Sequence, residues 1–145
     1  MCGSNCALWG FNAEGKDVFW TVTGANVSAL CFTDIDNDGS NEVVVGTDDY
    51  DIRVFKEDLL LYELNETDEI SCLCSLGKGR FAYGLANGTL GVYEGETRIW
   101  RIKTKNQPVA LAVFPDSDSL ACAWSGGKVY IFSYFKRWHI LIQEC

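Results

Sequence analysis

The sequence predicts an all-β fold: an incomplete β-propeller of about three four-stranded blades plus a partial blade. The first observation is a repeat. DIRVF (51–55), TLGVY (89–93) and KVYIF (128–132) align, with Phe55, Tyr93 and Phe132 spaced 38 and 39 residues apart. A four-strand unit of about 40 residues is the period of a propeller blade. The second is turn chemistry: two prolines against fourteen glycines suit many tight turns between short strands. The third is that no useful length of chain carries a helical period; apolar runs of strand length follow one another instead.

The elements follow in order. Residues 1–25 form the partial blade, because CALWGFNAEGKDVFW (6–20) echoes the second half of a unit through Phe11 and Trp20. Residues 26–66 form the first whole blade: NVSALCF (26–32), EVVVGTDDY (42–50), DIRVF (51–55) and an outer strand at Tyr62. Residues 67–105 repeat this with ISCLCSL (70–76), RFAYGLANG (80–88), TLGVY (89–93) and Trp100. Residues 106–145 repeat it again with VALAVF (109–114), LACAWSGG (120–127) and KVYIF (128–132). The ambiguous FKRWHILIQE is placed as the last outer strand because Trp138 continues the repeat.

The pattern within strands agrees. Trp100 and Ile102 alternate with Arg101 and Lys103, as on an outer strand with one buried face. The runs VVV (43–45) and VALAV (109–113) are apolar on both faces, which predicts strands sandwiched between neighbouring blades. A β-sandwich also has many short strands, but it does not predict three aligned units. Propellers close with typically 4–8 blades, so a piece of a longer propeller is expected rather than an oligomer of this chain.

At 145 residues and 48% apolar, the chain has the size of one domain with a sizeable core. A net charge of −8 opposes general binding to nucleic-acid phosphates, which relies on clustered cations. No apolar run reaches the roughly 18 residues of a membrane span. MCGSNCALWG has neither the basic region nor the long apolar run of a secretory signal, and no lipidation motif is expected at either end. The seven cysteines are odd in number and lack a C-x-x-C pair, which predicts free thiols in a reducing compartment. The sequons at Asn26, Asn65 and Asn87 are then expected to be fortuitous.

One stretch invites a metal. In TDIDNDGSNE (33–42), Asp34, Asp36, Asp38 and Glu42 fall at positions 1, 3, 5 and 9 of a loop with Gly39 at position 6. Calcium takes six to eight oxygens, and alternate Asp side chains on a tightly curled loop can converge on one ion. Ser40 would add its backbone carbonyl. Position 12 is Val45 rather than a bidentate Glu, so the loop is not an EF-hand; it is similar to the calcium loop of integrin-type propeller repeats. The competing reading is an Asx-rich turn whose carboxylates accept backbone N–H groups. The equivalent CSLGKGR (74–80) has no acid, and FPDSDSL (114–120) keeps only Asp116 and Asp118.

Catalytic signals are absent. His139 is the sole histidine, expected at the surface, and no nucleophile–base set can be built around it. Gly77-Lys78-Gly79 fits no phosphate-binding motif. The carboxylates at 34–42 lack a histidine or second acidic cluster to make a hydrolytic metal centre. The basic RIWRIKTK (98–105), like Lys136 and Arg137, is expected to be a solvated face rather than a lipid or acidic-partner contact.

Beyond these features, NCALWGFNAEGKDVFWTVTG (5–24), DIDNDGSNEVVVGTDDYDIRVFKED (34–58) and GRFAYGLANGTLGVYEGETRIWRIKTKN (79–106) resemble the Bardet–Biedl syndrome 2 family of BBSome subunits, over about residues 5–128. The resemblance implies the middle of an N-terminal propeller in a coat-like complex that carries membrane proteins to and from cilia and supports cilium assembly. It implies a non-catalytic scaffold whose partners are other BBSome subunits and ciliary membrane-protein cargo, without nucleic acid. Any membrane association would be peripheral, through the complex. The implied places are the cilium, the ciliary membrane, the basal body region and the cytoplasm. No cofactor is required; structural calcium at 34–42 is the one candidate. The tail YIFSYFKRWHILIQEC departs from the family pattern, and the family's coiled-coil, γ-adaptin-ear-like, platform and helical regions are not represented. The alternative is an integrin-like extracellular propeller that binds ligand with calcium; a propeller enzyme with its site on other blades is a further rival.

Overall fold

The computed structural model describes residues 2–4, 6–114, 119–133 and 141–144. Every regular element among the described residues is a strand: β1 (Cys2–Ser4), β2 (Ala7–Phe11), β3 (Asp17–Val22), β4 (Val27–Thr33), β5 (Glu42–Thr47), β6 (Asp51–Lys56), β7 (Leu59–Asn65), β8 (Ile70–Gly77), β9 (Arg80–Leu85), β10 (Thr89–Glu94), β11 (Thr97–Lys103), β12 (Pro108–Val113), β13 (Ser119–Trp124), β14 (Lys128–Ser133) and β15 (Leu141–Glu144). They form one three-stranded sheet, β1–β3, and three four-stranded sheets, β4–β7, β8–β11 and β12–β15. All the pairings are antiparallel between strands consecutive in sequence. The protein is therefore an incomplete β-propeller of three blades and a partial one. β1 is a strand that the repeat did not reveal.

The core lies in seams between blades, and the period-2 alternation of strand side chains fills them. On β5, Val43 and Val45 point one way, to Leu8 and Phe55, while Val44 points the other, to Ile70, Phe81 and Tyr83. On β9, Phe81, Tyr83 and Leu85 face that same seam, and Ala82 faces Leu120 across the next. Both strands are buried on two faces, so they read as continuous apolar runs. Each such side chain contributes about 1.5–3 kcal/mol by burial.

Close approach between blades needs small residues. A Cβ on Gly46 would lie 2.4 Å from an Ile70 side-chain carbon, and one on Gly84 would lie 2.8 Å from the Pro108 Cβ. The first strand of each following blade thus nests over a glycine of the blade before it.

The last seam corrects one expectation. VALAV (109–113) reads as apolar on both faces, yet Val109 is 50% exposed and Ala110, Ala112 and Val113 are exposed too. Its strand, β12, packs on β8 and β9. Strand β13 repeats the asymmetry: Leu120, Cys122 and Trp124 are buried, and the residues between them are half-exposed. A propeller strand is covered on both faces only when blades flank it, and here one flank belongs to no described sheet. β15 supplies an outer strand in the tail, paired with β14; Trp138 lies outside the described residues.

Candidate functional site

The acidic stretch connects β4 to β5 and curls on its own carboxylates. Asp34 accepts the N–H of Asp38 at 3.0 Å through Oδ1 and that of Gly39 at 2.9 Å through Oδ2. Asp36 Oδ1 accepts the Asp38 N–H at 3.1 Å, and Asp38 Oδ1 accepts the Ser40 N–H at 2.8 Å. The Asp36–Asp38 and Asp38–Ser40 bonds are Asx turns, in which a short carboxylate replaces a backbone acceptor. Asn37, at φ 59°, takes the left-handed conformation that a short polar side chain tolerates.

Glu42 opens β5 and is fully buried. Its Oε2 accepts the Ile35 N–H at 2.7 Å, tying the loop's first turn to the sheet. Its Oε1 has no hydrogen bond but lies 3.3 Å from Lys56 Nζ, the last residue of β6. The same ammonium hydrogen-bonds Asp36 Oδ2 at 2.9 Å and also Asp38 Oδ2. The hydrogen bond to Asp38, then that to Asp36, holds the Lys56 ammonium well above the usual lysine range. Asp38 is held below the usual carboxylate value by the Lys56 ammonium first and the Ser40 N–H second.

Sequence reading proposed Asp34, Asp36, Asp38, Ser40 and Glu42 as ligands. The fold gathers the four carboxylates, and Asp34, Asp36 and Glu42 each bring an oxygen within 4.8 Å of the others. Hard oxygen donors with one buried, non-hydrogen-bonded Glu42 oxygen fit a divalent cation in kind. Lys56 was missed. It belongs to another strand, and only the hairpin register brings it opposite the start of β5, one pair beyond Val43 and Phe55.

The loop also touches the next blade. A Cβ on Gly79, in the β8–β9 turn at φ +74°, would lie 2.7 Å from the Ile35 carbonyl oxygen. Thr33 Oγ1 donates to the Arg80 carbonyl at 3.4 Å. A second bridge crosses the same seam. Glu66, whose side chain is fully buried, accepts from the Tyr93 hydroxyl and from Arg98 Nη2, the latter at 3.0 Å. Arg98 also stacks over the Tyr93 ring at 5.4 Å. The basic stretch was expected to be wholly solvated; Arg98 instead binds a neighbouring blade, because Glu66 stands beside it only after the blades pack. From β6, Arg53 holds Asp49 of the preceding turn at 2.8 Å, Asp51 of its own strand at 2.9 Å and Glu63 of β7 at 3.2 Å.

The buried thiols Cys31, Cys72 and Cys122 offer no nucleophile. Burial, with Cys74 second, pushes Cys31 up to about 12, and burial likewise pushes Cys122 to about 12 and Cys72 to about 11. A thiol so raised is not a thiolate near neutrality. The described cysteines Cys6, Cys31, Cys72, Cys74 and Cys122 are free, as the odd count suggested. His139, Lys136, Arg137, Asp116 and Asp118 lie outside the described residues. No helix among the described residues is long and apolar enough to cross a membrane.

Comparison with known proteins places this blade assembly. Residues 29–132 match the family model for the ciliary BBSome complex subunit 2, middle region. The chain belongs to that family. It is 51% identical over 133 residues to human BBSome complex member BBS2, covering 89% of this chain and 18% of the relative. It is 48% identical over 128 residues to Caenorhabditis elegans BBSome complex member bbs-2, covering 88% and 18%. The chain thus spans less than a fifth of the length of these relatives. In fold it is similar to BBS1N, as seen in a crystal structure of its complex with ARL6DN soaked with lead, with a TM-score of 0.82 at 14% identity, over 99% of this chain and 48% of that one. Family membership supports the BBSome resemblance over the integrin-like alternative.

Proposed function

We propose that this chain is a propeller segment of a BBSome subunit and acts as a non-catalytic scaffold in carrying membrane proteins to and from cilia. The observation that carries this reading is the identity of about one residue in two with BBSome members over 89% of the chain. The chemistry agrees: inert buried thiols and carboxylates committed to turns and salt bridges. Its partners are other BBSome subunits and, through them, ciliary membrane-protein cargo. It works at the cilium and basal body, and meets the membrane only through the complex.

The test is a chimera. The matching segment of the human relative is replaced by this chain and expressed in ciliated cells lacking that relative. Co-purification with BBSome subunits and restored ciliary cargo are expected. A chimera that is folded and stable yet recovers no BBSome subunit would overturn the reading.

A further inference from the structure

The acidic loop carries its own cation, and we propose that Lys56 is a built-in substitute for a divalent ion there. The inference is independent of the trafficking role. It rests on how the carboxylate oxygens are distributed. Both Asp34 oxygens accept backbone N–H groups, from Asp38 and Gly39. One oxygen each of Asp36, Asp38 and Glu42 is taken in the same way, by the N–H groups of Asp38, Ser40 and Ile35. The remaining oxygen of each of these three residues faces Lys56 Nζ: Asp36 Oδ2 at 2.9 Å, Glu42 Oε1 at 3.3 Å, and Asp38 Oδ2 in a short hydrogen bond.

Three carboxylate oxygens around one nitrogen match the three N–H donors of an ammonium. They fall short of the six to eight oxygens that calcium gathers. The buried Glu42 gives the argument its force. A fully buried carboxylate needs a compensating charge, and Lys56 is the cation that reaches it.

The sister blades supply the control. The position of Lys56, last in its strand, is held by Glu94 in β10 and Ser133 in β14. The position of Glu42 is held by Arg80 and Ser119. Among the three whole blades a lysine stands at this place only in the one whose loop and second strand bring four carboxylates; the third blade, with Asp116 and Asp118 alone in its loop, has Ser133 there. The ammonium is therefore matched to the loop, and is not a fixed feature of the repeat.

The experiment is a titration with calcium alone, followed by calorimetry and by melting temperature, on the wild-type chain, Lys56→Met and Lys56→Gln. Wild type should give no binding heat and no rise in melting temperature. The two variants should melt lower without calcium, bind it in roughly the micromolar to millimolar range of protein calcium loops, and recover stability with it. Adding Asp36→Ala to Lys56→Met should abolish that binding. Wild type binding calcium as tightly as the variants would overturn the proposal. So would variants that calcium neither binds nor refolds.

Discussion

Two corners of the molecule occupy the same place in successive blades and carry an ion pair of reversed polarity. In the first whole blade, Glu42 opens the second strand and faces Lys56 at the end of the third, at 3.3 Å. In the next blade, Arg80 opens the second strand and faces Glu94 at the end of the third, at 3.2 Å. In the third blade the pair is Ser119 and Ser133. The strand lengths are the same in all three, six residues each. The repeat thus preserves the backbone and the apolar alternation that packs the seams, while what lies over the corner decides its charge. Over Glu42 lies a long acidic loop that demands a cation. Over Arg80 lies the short turn through Gly79, whose glycine makes room for that same loop.

The sharpest way to break this relation is at Gly79. Gly79→Val places a branched side chain at φ +74° and against the Ile35 carbonyl, which should cost about 2–4 kcal/mol. Chemical denaturation of the chain measures it; a loss below that of Gly95→Val, where a Cβ meets nothing within 4 Å, would separate the loop from the neighbouring turn.

Next in size is Glu42→Ala, which removes the acceptor of the Ile35 N–H and the buried partner of Lys56. A loss of about 1–3 kcal/mol is expected, together with faster hydrogen exchange at Ile35. Unchanged exchange there would mean that the loop holds itself without the strand.

Reversing each pair sharpens the comparison further. Glu42→Lys with Lys56→Glu sets a third carboxylate between Asp36 and Asp38, so the melting temperature should fall. Arg80→Glu with Glu94→Arg leaves the Glu42–Lys56 pair and its loop carboxylates in place and should lower it less. Equal falls would deny that the loop dictates the sign.

The smallest effect is in pH. The folded pKa of Asp38 is lowered below its ordinary 3.8, chiefly by Lys56. The unfolded chain therefore binds the proton more readily, and the stabilisation is fully present above 3.8 and lost as pH falls through the lower folded value. Asp49, lowered first by its hydrogen bond with Arg53, adds in the same window. Lys56→Met should flatten the acid limb of melting temperature against pH; identical acid limbs would rule out the Lys56–Asp38 coupling.

The sequence by itself determined the blades. Phe55, Tyr93 and Phe132, with the apolar runs and turn residues around them, mark a local period, and strand alternation and turn chemistry are properties of neighbouring residues. It also singled out Asp34, Asp36, Asp38 and Glu42, because a curled loop brings alternate carboxylates together without help from elsewhere. What only the tertiary structure decided are the meetings across strands and blades: Lys56 in the acid cup, Arg98 on Glu66, and β12 left uncovered on one face. Each depends on hairpin register or on which blade lies alongside. A charge has no period, so nothing in the local pattern says which opposite charge it will face once the sheets are stacked.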